Sequence, residues 1–143
     1  MNIIVCLDEN MGMLFNGRRQ SKDKRVLEDI EKITGEIWIH PFSKDLFAES
    51  NCNCHMSDSF LDQAGKNDYC FVEAHHTAAY LKQINQIVVY RWNRQYPSDF
   101  KCDIPFDQWQ LLERQDFVGF SHDKIKRSIY KRLNKRKRIT SRS

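Results

Sequence analysis

Glycine and proline are scarce in this chain, five and three among 143 residues, which excludes a collagen-like architecture. Long apolar runs are missing as well. The run from Ile87 to Tyr90 falls far short of the ~20 residues that a membrane-spanning helix needs, so no membrane partner is expected. At the start, Met1-Asn2-Ile3-Ile4-Val5 leads straight to Asp8 with no basic stretch ahead of an apolar segment, so neither a secretory signal nor a transit peptide is expected, and the cytoplasm is the expected compartment. Paired cysteines are lacking: Cys6, Cys52, Cys54, Cys70 and Cys102 are odd in number and irregular in spacing, against a disulfide framework. Cys52-Asn53-Cys54-His55 does group three soft ligands, but a second compact pair is missing and His75-His76 is the nearest substitute, so no metal site is expected. Acidic residues are absent from the last twenty positions. All nineteen lie at or before Asp123, which leaves residues 1–123 at −6 and residues 124–143 at +10. A hydrophobic content of 41% suits one domain with a real core over residues 1–123, followed by a basic segment, 124–143, able to meet phosphate.

What is present alternates. Ile3 to Leu7 reads as a buried central strand that ends at Asp8-Glu9-Asn10 and opens into a loop running to about Gly17. Ser21 is the expected cap of a helix with Asp23 in its first turn, an apolar stripe of Val26, Leu27, Ile30 and Ile33, and a stop at Thr34-Gly35. Glu36 to His40 is a second strand broken by Pro41, with a short helix from Phe42 to Phe47. Cys54-His55-Met56 suggests an edge strand, Phe60 to Gly65 a turn of helix, and Tyr69 to Val72 another buried strand. Thr77 to Ile84 suits a helix and Gln86 to Asn93 a strand covered on both faces. Such alternation predicts an α/β domain with a mainly parallel sheet flanked by helices. Trp109 to Val118 supplies one or two antiparallel edge segments. Ser121 and Asp123 then open a basic C-terminal helix, with Ile125, Ile129 and Leu133 on one face and Lys124, Lys126, Arg127, Lys131 and Arg132 around it, fraying beyond Asn134.

In this order, the strings Ile3-Ile4-Val5-Cys6-Leu7-Asp8-Glu9-Asn10-Met11-Gly12-Met13, Tyr69-Cys70-Phe71-Val72-Glu73, Gln86-Ile87-Val88-Val89-Tyr90 and Asp103-Ile104-Pro105-Phe106-Asp107-Gln108-Trp109 resemble the dihydrofolate reductase fold across residues 2–118. The resemblance implies NADPH as cofactor and an acid early in the first helix that protonates a pterin. That acid aligns near Val26, with Asp23 as its replacement if the preceding loop is shorter by about one helical turn. Arg18-Arg19-Gln20-Ser21 stand where the family has Leu-Pro-Trp, and His40-Pro41-Phe42-Ser43 where it reads phosphate with Gly-Arg. Glu73-Ala74 replace its paired glycines, setting bulk and negative charge where a dinucleotide pyrophosphate would lie, so no resident cofactor is expected. The stretches Asp8 to Asp23, Asp68 to Glu73, Tyr90 to Pro97 and Ser121 to Tyr130 also resemble short bacterial proteins often labelled ribonuclease Z. The H-x-H-x-D-H metal core of that hydrolase is absent, and two-metal chemistry needs such a ligand cluster.

Several groups are candidates for chemistry. Arg18 and Arg19, with Gln20 and the Ser21 helix start, can converge on an anion; equally, the two arginines can pair with Asp8, Glu9 or Asp23 and pin the loop. Lys44 lies after the second strand, at the sheet end where α/β domains gather ligands. Arg91 and Arg94 flank Trp92, a combination able to hold phosphate and stack a base, with Trp92 as ordinary core the competing role. Asp8, Asp23 and His40 are the candidate catalytic groups for a phosphodiesterase or ribonuclease. Lys124, Arg127, Lys131 and Arg132 are candidates for nucleic-acid contact. Ser121-His122-Asp123 reads as no triad, because neighbouring side chains at a helix start point apart and triads assemble from separate chain positions; capping accounts for Ser121 and Asp123, and His122 is expected to be exposed. The leading expectation is a reductase-fold protein that binds a phosphate-bearing small molecule or RNA. An NADPH-dependent reductase, a ribonuclease and a non-enzymatic interaction module are the alternatives.

Overall fold

Successive side chains on a strand face opposite sides of its sheet, and in β1 (Asn2–Leu7) both sides are apolar. Ile3, Val5 and Leu7 pack into one core with Phe60, Leu61, Ile84, Ile104 and Trp109, while Ile4 packs into a second with Val26, Ile30, Phe47 and Trp92. A strand buried on both faces belongs in the middle of a covered sheet. The computed structural model describes residues 1–133 and shows that arrangement.

After β1 come β2 (Gly12–Phe15), β3 (Arg18–Arg19), helix α1 (Lys24–Thr34), β4 (Glu36–Ile39), β5 (Asn53–Met56), α2 (Phe60–Gln63), β6 (Tyr69–Phe71), β7 (Gln86–Arg91), β8 (Phe100–Lys101), β9 (Trp109–Phe117) and β10 (Ile125–Arg132). One seven-stranded sheet has the order β5-β4-β6-β1-β7-β10-β9. Its first five strands are parallel, and β10 and β9 close it antiparallel. Strands β3, β2 and β8 form a small second sheet. The stretch expected to be loop up to Gly17 is therefore a hairpin: Asn16 and Gly17 both take positive φ, 52° and 72°, as a two-residue turn between right-twisted strands requires.

Helix α1 buries Val26 and Ile30 against the sheet, each contributing about 2 kcal/mol of apolar burial. Its N-cap is Asp23, whose carboxylate accepts from the Arg25 N–H at 2.8 Å, and not Ser21 two residues earlier. It ends at Gly35, φ 65°, whose N–H closes the last turn on the Glu31 carbonyl. Short 3-10 turns at Pro41–Ser43 and Ala78–Gln83 replace the two expected helices there.

The expected basic C-terminal helix is a strand. β10 lies between β7 and β9, with Ile125 and Arg127 buried. Residues four apart share a face in a helix and also in a strand, so the 125/129/133 spacing fits both; the antiparallel pairing with β7 and β9 selects the strand. The expected fraying beyond Asn134 falls outside the described residues. No helix among the described residues is long and apolar enough to cross a membrane.

Candidate functional site

The carboxyl ends of β1, β4, β6 and β7 converge, since Ile4 and Ile39 both register with Phe71 and Leu7 registers with Arg91. Three polar clusters occupy this end, each built on an acid that follows a strand or starts α1.

The first is Asp8, 1% exposed. Its Oδ1 accepts the N–H groups of Asn10 and Gly12 at 2.8 and 2.7 Å; its Oδ2 accepts Gln20 Nε2 at 3.1 Å and the Tyr96 N–H at 3.0 Å. Burial raises its pKa, but the four donors outweigh burial and hold it below the ordinary carboxylate value. Gly12 keeps room for this cluster, because a Cβ there would lie 2.8 Å from Ser98 Cβ and 2.9 Å from Asp8 Oδ1.

The second is Asp23, 3% exposed. Oδ1 accepts the N–H groups of Arg25 and Phe120, both at 2.8 Å, and Oδ2 accepts the Ser121 N–H at 2.9 Å and its hydroxyl at 3.2 Å. Oδ2 also lies 2.8 Å from His122 Nδ1, and His122 Nε2 lies 2.8 Å from Ser21 Oγ. The ring is 6% exposed, stacked on Trp92 with centroids 4.7 Å apart, and has Tyr96 Oη 3.4 Å from Nε2. Burial pushes the Asp23 carboxyl up, while the His122 contact and the backbone donors pull it down further, to about 2. Gly119 permits this approach: a Cβ there would lie 2.6 Å from Asp23 Oδ2 and 2.6 Å from Ile125 Cδ1.

The third joins Arg19 to Glu73. Arg19 Nε and Nη2 donate to the two Glu73 oxygens at 2.7 and 2.9 Å, and Ser43 Oγ donates to Oε1 at 2.7 Å. The guanidinium also sits 5.6 Å from the Phe42 ring centroid. Beside it opens a shallow cavity of about 400 Å³ lined by Gly17, Arg18, Arg19, Ser21, Lys22 and Phe42. Arg18 and Lys22 are exposed. Of the two roles open to the arginines, Arg19 takes up a carboxylate, that of Glu73 and not of Asp8, Glu9 or Asp23.

The three candidate catalytic groups do not form one cluster. His40 accepts the Phe42 N–H on Nδ1, faces Asp58 at 3.5 Å from Nε2, and packs against His75 at 4.6 Å between centroids; its hydrogen bonds go to neither Asp8 nor Asp23. Gln20 is spent on Asp8 and the Pro97 carbonyl. Lys44 is exposed just after the 3-10 turn. Arg91 turns to Ser128 Oγ and Tyr130 Oη at 3.2 and 3.1 Å, whereas Arg94 is exposed and Trp92 is core.

The four candidate nucleic-acid contacts are distributed by the strand, not gathered on one helical face. Arg127 points inward to Asp29 and Glu113, in a network that Tyr90 joins through Asp29. Arg132 lies over Trp109 and donates to the Leu81 and Ile84 carbonyls, Lys124 faces Asp116 at 3.3 Å, and Lys131 is exposed. His122, expected to be exposed, is the buried residue that sequence reasoning missed. A histidine next to the Gly119 turn was its only local signal.

Fold and topology together define the class: a mixed α/β domain with the dihydrofolate reductase fold. No protein-family model matches the chain, and no curated protein matches it significantly. Among solved structures it is similar to the dihydrofolate reductase from Enterococcus faecalis complexed with NADP(H) and RAB-propyl, at 10% identity and a TM-score of 0.66, over 93% of this chain and 96% of that one. The likeness is one of fold.

Proposed function

We propose that this reductase-fold protein binds a phosphate-bearing, nucleotide-sized ligand in the cavity between Gly17–Lys22 and Phe42. The observation that carries the reading is the lining itself: three of its six residues, Arg18, Arg19 and Lys22, are cations, and Phe42 adds a ring on which a base can stack. The position also favours it, because open α/β sheets take ligands beyond the carboxyl ends of their strands. Glu73 fixes the Arg19 fork in place and leaves Arg18 and Lys22 as the exposed cations of the rim. A small ligand suits the site better than a long RNA, since Arg127 and Arg132 are tied into the sheet.

Hydride transfer from NADPH is less well supported. The Glu73 carboxylate, bound to Arg19 and Ser43, stands where the fold family would approach a pyrophosphate with bare backbone. The residues present do not fit that cofactor.

Thermal melting in the presence of nucleoside mono-, di- and triphosphates tests the proposal. A ligand that binds only the native state at a hundred times its Kd adds about 2.7 kcal/mol and raises Tm. The shift is expected to vanish in the double variant Arg18→Ala, Lys22→Ala. If no phosphate compound raises Tm at millimolar concentration, or the double variant responds as the parent does, the proposal is lost.

A further inference from the structure

Two contacts of 2.8 Å on opposite edges of one imidazole connect a buried carboxylate to a hydroxyl at a cavity wall. The Asp23 side chain is completely shielded from solvent. As a carboxylate it can only accept, so the hydrogen it shares with His122 sits on Nδ1. In the neutral form of the ring the remaining nitrogen, Nε2, carries the lone pair, and the Ser21 hydroxyl 2.8 Å away is placed to donate to it. Trp92 holds the ring plane by stacking. Ser21 is half-buried and lines the cation-rich cavity. A hydroxyl bonded to a base, with that base oriented by a third group, is the arrangement that makes serine a nucleophile.

We propose that Ser21 is the nucleophile of a Ser21–His122–Asp23 relay that hydrolyses a carboxylic ester whose anionic group rests on Arg18 and Lys22. The relay stands on its own geometry; the anionic character of the ester rests on the cavity reading above. Ser21 Oγ adds to the ester carbonyl carbon while its proton passes to His122 Nε2 and the carbonyl electron pair moves onto oxygen. Collapse of that adduct breaks the bond to the alcohol oxygen, which leaves with the proton from Nε2, and Ser21 remains acylated. Water then gives a proton to Nε2 and adds to the acyl carbon. Release of the carboxylic acid returns the proton to Ser21. Ester and water become acid and alcohol, with nothing oxidised or reduced, and Asp23 stabilises the imidazolium that forms in each half.

Treatment of the full chain with an alkyl fluorophosphonate, followed by peptide mass spectrometry, tests the relay. A single adduct on Ser21 is expected, absent in Ser21→Ala and formed about a hundredfold more slowly in His122→Gln. Absence of an adduct on Ser21 in the parent overturns the relay, and this readout needs no folded variant. So does labelling of folded His122→Gln at the parent rate. Millimolar inorganic pyrophosphate is expected to slow labelling of the parent. Unprotected labelling overturns the anionic substrate and leaves the relay; a pyrophosphate-induced rise in Tm without labelling does the reverse.

Discussion

Asp8 and Asp23 are matched in burial and in the direction of their pKa shift, yet their surroundings differ in kind. Around Asp8, the donors come from the loops and the start of β2 that the carboxylate ties together: Asn10, Gly12, Gln20 and Tyr96. Around Asp23, the backbone donors of Arg25, Phe120 and Ser121 do the same for the α1 start and the 119–122 turn, but one partner is an imidazole whose far edge reaches Ser21 at a cavity wall. Backbone N–H groups can hold a negative charge without passing anything on. A titratable ring with two nitrogens can hold and transmit, which is why one acid is a clasp and the other heads a relay.

The contrast breaks most visibly at Asp8. Replacing it by alanine leaves several buried donors without an acceptor, and urea unfolding is expected to show a loss of about 3 kcal/mol. A loss below about 1 kcal/mol would mean that the clasp is not what holds these loops. Acid sharpens the comparison next. Asp23 is depressed from 3.8 to about 2, so its contribution is fully present above pH 4 and disappears as pH falls through the folded value. Unfolding free energies between pH 6 and pH 2 should therefore fall by about 2 kcal/mol from this group, and Asp23→Asn should remove that part of the slope. Asp8 and Asp103 shift in the same direction and add to the acid sensitivity of the parent.

Gly119→Ala attacks the Asp23 side alone, because its methyl group would press on Asp23 Oδ2 and Ile125 Cδ1. A destabilisation of about 2 kcal/mol by thermal melting is expected, and an unchanged Tm would show that the turn relaxes freely. The smallest effect belongs to Glu73→Gln. It removes the charge that pairs with Arg19 and costs about 1 kcal/mol of stability. It is also expected to tighten phosphate binding several-fold in calorimetric titration, since a guanidinium freed from a carboxylate competes better for a phosphate.

Much of the scaffold was legible residue by residue. Ile3–Leu7 and Ile87–Tyr90 are apolar at consecutive positions, as a strand covered on both faces requires, and they became the neighbouring parallel strands β1 and β7. Val26 and Ile30 followed by Gly35 marked α1 and its end. Cys54-His55-Met56 suggests an edge strand, and β5 is one. The site was legible only in part. Arg18, Arg19, Ser21 and Asp23 stand out in the sequence as candidates, Ser21 as a helix cap and anion contact, but His122 has there only the features of a solvent-exposed ring. A spacing of four residues cannot separate helix from strand, so the turn before β10 had no place from which its packing could be inferred.

The chain by itself determined the alternation that builds the sheet, the amphipathic α1, the charge divided between residues 1–123 and the basic remainder, and the acid Glu73 just past the apolar run that becomes β6. These are local properties of neighbouring residues. The meeting of Ser21 and Asp23 with His122, 101 and 99 residues away, was decided only in three dimensions. It follows from β10 returning antiparallel beside β7, which lays the 119–122 turn over the first turn of α1, where the carboxylate that caps the helix can also orient the histidine.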